Sequence, residues 1–174
     1  MTKKIRPRFN PGLFKLFRKK PRVQDKAFID LSLMLSLDES RPTYRKDVLE
    51  CGCLDFSLES LKPLDRFLDK VRHDSIPEDA LIIQVLRTGA CRGEVMRRTS
   101  EVEYHWLYFE DACKIVKSIE KLGDQLGTSA VLWSSPDHVC FPLVKVLKFI
   151  SNGKEDSTYT FAKVLLNGTP ENFI

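Results

Sequence analysis

The chain has 174 residues, 43% of them hydrophobic and 30% charged, with 8 glycines and 9 prolines. This length suits one domain with a substantial core, and this composition excludes collagen-like, low-complexity and wholly disordered proteins. The formal net charge is +4, but residues 1–22 hold nine basic residues and no acidic one. The remaining 19 basic and 24 acidic residues give residues 23–174 a net charge of −5. The positive total therefore does not indicate a nucleic-acid-binding body.

The sequence contains no apolar run long enough to cross a membrane and no pattern of a secretory signal. Its 5 cysteines are an odd number, which is typical of free thiols in a reducing compartment. Cys51 and Cys53 are separated by one residue, whereas zinc-binding pairs are separated by about two to four. We therefore expect a cytoplasmic protein without a metal or cofactor.

The basic arm, residues 1–22, combines cations with a short Phe-rich segment, in which Pro11 can open a helix and Pro21 ends it. Such a segment can lie on anionic lipid, contact nucleic acid or a partner protein, or pack on its own domain. We predict contact with an anionic membrane surface or nucleic acid, which would place the protein at the membrane periphery in the first case. The contacting residues are predicted to be Lys3, Lys4, Arg6, Arg8, Lys15, Arg18, Lys19, Lys20 and Arg22.

The next segment, residues 23–49, is predicted to be a helical extension and connector. Residues 26–37 are apolar enough for a helix of about three turns, although the alternation after Asp30 also allows a strand. Pro42 and its polar neighbours then end the pattern. This change of composition marks the predicted boundary with a compact unit, residues 50–174.

From Ser57 onward the pattern is regular. It predicts an α+β fold, in which helices pack on a small, mainly antiparallel sheet. Because two strands rarely suffice, we expect a third in residues 43–56 or a hairpin partner. The predicted elements are a helix to Arg72 capped by Ser57 or Ser60, a helix from Pro77 past Gly93, a strand at 104–109, a helix from Asp111 to Gly123, a strand at 130–133, a helix at 141–150, and a last helix capped by Asp156 or Ser157.

Three segments carry a resemblance to other proteins: Asp55 to Ser57 before a Leu-rich helix, Gly89-Ala-Cys-Arg-Gly93-Glu94-Val95, and the run from Phe141 to Ser157. From about Asp55 to Ala162 the chain resembles a family of small, uncharacterised bacterial α+β domains. Related sequences usually carry a Gly-rich stretch and a Trp before the first strand, whereas Trp106 lies within the aromatic run. The resemblance implies a fold class and a bacterial origin, and it implies no mechanism.

Glu94 ends a helical face of small residues, Gly89, Ala90 and Gly93. Glycine costs about 1 kcal/mol relative to alanine in a helix, so a close approach of another backbone is expected there. The carboxylate is either a polar group held in a cleft or part of an exposed face that pairs with Arg97 and Arg98. Arg87 and Arg92 are expected to continue that polar face.

His138 and Cys140 suggest a second possible chemistry, because a cysteine nucleophile needs a base within hydrogen-bonding reach. On a strand the two side chains would point to the same face. No oxyanion-hole pattern accompanies them, and a buried cysteine near a histidine is a common structural feature. No phosphate-binding glycine loop and no H-E-x-x-H zinc motif is present.

The aromatic run contains Tyr104, Trp106, Tyr108 and Phe109, and acidic residues flank it on both sides. Carboxylates would repel a phosphate backbone, so a base-stacking surface is disfavoured. The sequence therefore predicts a non-enzymatic cytoplasmic protein-binding module of accessory, effector-associated or immunity type, with Trp106, Tyr108 and Glu94 as surface candidates. The alternatives are an enzyme that uses Glu94 or the His138/Cys140 pair, and binding to nucleic acid or a membrane surface through the basic arm.

Overall fold

The computed structural model describes residues 21–50, 54–134 and 138–167, and within them it confirms the α+β fold. The α-helices are α1 (Asp25–Leu37), α2 (Leu61–Val71), α3 (Glu78–Thr99), α4 (Phe109–Ile115), α5 (Pro142–Asn152) and α6 (Thr158–Asn167). The strands are β1 (His105–Tyr108), β2 (Ala130–Ser134) and β3 (His138–Cys140), and 3-10 turns occupy Lys46–Val48, Leu58–Ser60, Lys117–Leu122 and Gly153–Asp156.

The described strands form an antiparallel sheet in the order β1-β2-β3. The third strand is the hairpin partner β3, and the described residues between 43 and 56 contain a 3-10 turn and no strand. The helix predicted from Asp111 to Gly123 is split. Helix α4 begins at Phe109, with Asp111 in its first turn, and a 3-10 turn covers Lys117–Leu122.

The two faces of the sheet pack against different helices, because side chains alternate along a strand. Trp106, Leu132 and Cys140 are aligned across the three strands and belong to the main hydrophobic core. Leu107 and Val131 lie on the opposite face and join a smaller cluster with α4 and the 3-10 turn that follows it.

Helix α3 runs through the centre of the fold, and its side chains between residues 84 and 96 are buried with the exception of Leu86. A Cβ atom at Gly89 would lie 2.8 Å from two side-chain atoms of Leu143 and 3.2 Å from its Cα atom. A Cβ atom at Gly93 would lie 2.1 Å from the Trp106 ring. The expected close approach is therefore made by α5 at Gly89 and by an indole ring at Gly93.

Helix α1 belongs to the main core, although the sequence assigned it to an extension. Its Phe28 and Leu35 are buried in the same cluster as α3, and the Phe28 ring stacks on Trp106 with centroids 4.2 Å apart. The segment before it closes the outer edge of β1, since Gln24 N donates to Trp106 O at 2.8 Å and Asp25 Oδ1 accepts from Trp106 N at 2.7 Å. Residues 24–37 and the unit after residue 50 therefore share one core.

The start of α6 is fixed by two caps. Ser157 Oγ accepts from Thr160 N at 3.0 Å, which confirms Ser157 as the N-cap. Asp65 on α2 accepts from Ser157 Oγ at 2.6 Å and from Thr158 N at 3.0 Å. This carboxylate joins the C-terminal helix to α2, more than ninety positions earlier in the chain.

Candidate functional site

Glu94 forms the centre of a buried polar cluster. Its Oε1 accepts hydrogen bonds from Trp106 Nε1 and Arg97 Nε, both at 2.9 Å. Its Oε2 accepts from Arg97 Nη2 at 3.1 Å and from Arg98 Nε at 3.3 Å. The predicted pairing with both arginines is confirmed, but the carboxylate is fully buried, so its assignment to an exposed helix face is wrong. Both oxygens are engaged by donors of the chain itself, which suits a structural role better than proton transfer.

Two of the three predicted surface candidates are inaccessible. Trp106 and Glu94 have no solvent exposure, because Phe28 and Gly93 pack directly on the indole and the indole N–H binds the carboxylate. Their prediction as surface anchors is therefore wrong. Tyr108 is 48% exposed, and its part in binding stays a prediction.

The cluster extends to Phe56, which has a φ of +62°. A bulky residue rarely adopts this left-handed conformation, so the surroundings must hold it there. The Arg98 guanidinium lies over the Phe56 ring, 3.9 Å from its centroid, and thus links the strained residue to Glu94. The spacing of Glu94, Arg97 and Arg98 was visible in the sequence, whereas Trp106 and Phe56 are distant in the chain and gave no local signal.

The His138/Cys140 pair lacks the geometry of an activated nucleophile. Cys140 is buried, its Sγ contacts Met96 Sδ at 3.9 Å, and no hydrogen bond joins it to His138 among the residues described. Burial raises the pKa of the Cys140 thiol, an effect that Arg92 opposes. A reactive cysteine needs a lowered thiol pKa and a base in contact.

Arg87 and Arg92 do not continue an exposed polar face, because both are buried. Arg87 is held by the Asp38 carboxylate, and its Nη1 donates to the Arg41 carbonyl at 2.6 Å. The three nitrogens of Arg92 have no oxygen acceptor among the residues described, the Cys140 thiol lies within reach of the guanidinium, and its carbon lies 4.9 Å from the centroid of the Phe161 ring. Burial lowers the pKa of Arg92, and the nearby Cys140 thiol and Asp65 carboxylate oppose that change.

A groove of about 160 Å³ lies beside β3, between α5 and α6. Val139, Cys140 and Phe141 form its strand side. Its other walls are Val144, Lys145 and Lys148 of α5 and Phe161 and Leu165 of α6. We call it the β3 groove. Two of the lining residues, Cys140 and Phe161, also neighbour the Arg92 guanidinium. Arg92 therefore lies behind this wall of the groove.

A larger cleft of about 490 Å³ lies between α2 and the segment before α6. Three of its four cations bind carboxylates: Lys62 binds Glu59 at 2.5 Å, Arg66 binds Glu50 at 2.6 Å, and Lys154 binds Asp69 at 3.3 Å. The fourth, Lys70, forms no ion pair among the described residues, and Asp65 in the same cleft caps α6. Most of these charges are used within the fold, so the cleft offers a ligand less than the β3 groove does.

Most of the basic arm lies outside the described residues. Arg22 is described, and its Nε lies 3.6 Å from Asp111 Oδ2 while its side chain stays 79% exposed. Cys51 and Cys53 also lie outside the described residues, and Cys91, Cys113 and Cys140 are free thiols.

The described part of the chain contains neither a metal-binding cluster nor a membrane-spanning helix. Residues 21–50, 54–134 and 138–167 contain no group of three side chains arranged to hold a metal ion. None of the helices in those ranges has the length and apolarity that a membrane span requires.

Comparison of the chain with protein-family models, with curated proteins and with solved structures finds no significant match. The resemblance to small bacterial α+β domains therefore stays a prediction.

Proposed function

We propose that this chain is a non-enzymatic, cytoplasmic protein-binding module of accessory, effector-associated or immunity type, and that it takes up a partner segment in the β3 groove. The observation that carries the proposal is an apolar groove that runs beside an edge strand of the sheet. Val139, Phe141, Val144 and Leu165 supply aliphatic and aromatic walls of the kind that bind side chains of an extended or helical segment.

The two edges of the sheet differ in a way that supports this site. At β1, Gln24 and Asp25 occupy both backbone groups of Trp106, which blocks pairing with another chain at that point. At β3, pairing within the described residues is with β2 alone, and Val139 and Cys140 of this strand line the groove. A partner segment is therefore better accommodated at β3 than at β1.

The enzymatic alternatives receive less support from the geometry. Glu94 has both oxygens engaged by the chain, and Cys140 has a raised thiol pKa and no hydrogen bond to a described histidine. Binding of the basic arm to nucleic acid or an anionic membrane is compatible with a protein-binding groove, because the arm precedes residue 23 and the groove lies between α5 and α6.

Site-specific photo-crosslinking in the cells that make the protein tests the proposal. An aliphatic diazirine amino acid replaces Leu165, which lines the groove, or its neighbour Val164, which is 46% exposed on the same helix and does not line it. We expect a discrete protein adduct from position 165 and none from position 164. Adducts of equal yield at 164 and 165, or an adduct from Tyr108 and not from 165, would contradict the β3 groove as the site. Thermal unfolding of each variant verifies that the fold is retained.

A further inference from the structure

The rim of the β3 groove carries positive charge. Lys148 is exposed and forms no ion pair among the residues described. Lys145 also lines the groove, and its Nζ donates to Asp156 Oδ1 at 2.5 Å while lying 4.9 Å from the centroid of the Phe161 ring. Asp156 also accepts from Asn152 at 2.6 Å, and its charge interacts with Lys148 as well as Lys145, so one carboxylate faces two lysines and the rim keeps a net positive charge. Since residues 23–174 have a net charge of −5, this cationic rim differs from the average charge of the body.

A second positive charge lies behind the groove wall. Arg92 is fully buried, and its guanidinium nitrogens have no oxygen acceptor among the described residues, so the neighbour within hydrogen-bonding reach is the Cys140 thiol. The guanidinium faces the ring of Phe161, which lines the groove, and Asp65 is the carboxylate that acts on its charge. The oxygens of Asp65 accept from Ser157 and Thr158, so they are shared with the cap of α6.

A buried cation without a bonded counter-charge is costly to the fold. An anionic group placed in the groove would lower that cost, because charges interact more strongly where water is excluded. The same anionic group would meet Lys148 at the rim. Apolar walls beside a rim lysine and a buried arginine suit a carboxylate that is flanked by apolar side chains.

We infer that the segment bound in the β3 groove is an acidic peptide segment of the partner protein, whose carboxylate is selected by Lys148 at the rim and by Arg92 behind Phe161. This inference rests on the proposed function, and it adds the chemistry of the partner. It also identifies Arg92 as a residue whose charge serves recognition, at the expense of the stability of the free protein.

The test uses short random peptides displayed on phage and selected on the full chain. Peptides that bind the wild type and lose binding to Leu165→Asn, but not to Val164→Asn, are assigned to the groove. We expect these peptides to be enriched in Asp and Glu. Lys148→Glu should weaken the binding of a selected peptide about tenfold, since a like charge then faces the carboxylate, and raised salt should weaken wild-type binding.

Lys163→Glu is the matched control, because Lys163 is exposed on α6 and does not line the groove. The inference would be overturned if the groove-dependent peptides were not enriched in Asp and Glu. It would also be overturned if Lys148→Glu and Lys163→Glu weakened peptide binding equally. Either result would leave the proposed function standing. Absence of any groove-dependent peptide would overturn both.

Arg92→Met tests the buried charge separately. We expect this variant to unfold at the same temperature as the wild type or at a higher one, because an unpaired buried charge is replaced by an apolar side chain. It should also lose most of its preference for an acidic peptide over the corresponding amide peptide. An unchanged preference would overturn the role of Arg92, and if the variant does not fold, Lys148→Glu still decides the acidic specificity.

Discussion

Replacement of Glu94 by glutamine is expected to lower the free energy of unfolding by about 2–3 kcal/mol. The amide keeps the shape of the side chain but offers one acceptor oxygen where the carboxylate offers two. If that oxygen stays on the buried Trp106 N–H, the bonds from Arg97 Nη2 and Arg98 Nε are lost. Hydrogen bonds to charged groups contribute about 1.5–3 kcal/mol each. The two arginine side chains are 24% and 41% exposed, so water replaces part of the loss and the expected total falls below the sum of two such bonds, to about 2–3 kcal/mol.

Urea and thermal unfolding followed by far-UV circular dichroism measure this change. A loss of that size should lower the thermal midpoint by about 4–12 °C in a chain of this length. Glu103→Gln is the matched control, since the same chemical change on a side chain that is 85% exposed should alter stability by less than about 0.5 kcal/mol. Equal stability of the two variants would refute the description of Glu94 as a buried acceptor for four donors.

Gly93→Ala should cost about 3 kcal/mol in urea unfolding, because its Cβ would lie 2.1 Å from the Trp106 ring, and a variant of wild-type stability would contradict that packing. The Ser40 hydroxyl and the Arg41 N–H lower the pKa of Asp38 to about 2, so its contribution to stability is present above pH 4 and is lost as the pH falls toward 2. Asp38→Asn should flatten that part of the pH dependence of the thermal midpoint, and an unchanged slope would argue against it. Deletion of residues 1–20 should leave the thermal midpoint nearly unchanged and weaken adhesion to anionic liposomes or DNA at low salt, whereas adhesion that salt does not weaken would contradict an electrostatic origin.

Local patterns predicted the elements well wherever one face of an element is buried. The Leu-rich spacing after Ser57 predicted α2, and the aromatic run predicted β1. Capping signals succeeded in part: Ser57 caps the 3-10 turn that leads into α2, by accepting from Ser60 N at 3.3 Å, and Gly153 ends α5 with a φ of +76°. Ser60, the other predicted cap, makes no side-chain cap at α2. These signals depend on neighbours within a few positions, so a single sequence contains them.

The environment of α3 could not be predicted in the same way. A helix that is surrounded on all sides buries polar and apolar residues alike, so the 3.6-residue periodicity does not separate inside from outside. Glu94 is satisfied by Trp106, twelve positions later, and Arg87 by Asp38, forty-nine positions earlier. Such partners are fixed by tertiary packing. For the same reason, the sequence could not show that Trp106 is buried or that α5 and α6 form a groove beside β3.

The cap that Asp65 provides for α6 has a consequence for the chain as it is being synthesised. The donors of this carboxylate begin at Ser157, ninety-two positions later. At common rates of translation, α2 leaves the ribosome on the order of ten seconds before its partner helix is made. During that interval the flank of α2 and α3 that α6 later covers is open to chaperones and to other nascent chains. A chain truncated before Ser157 would leave this flank permanently uncovered, so such products are expected to aggregate or to be degraded.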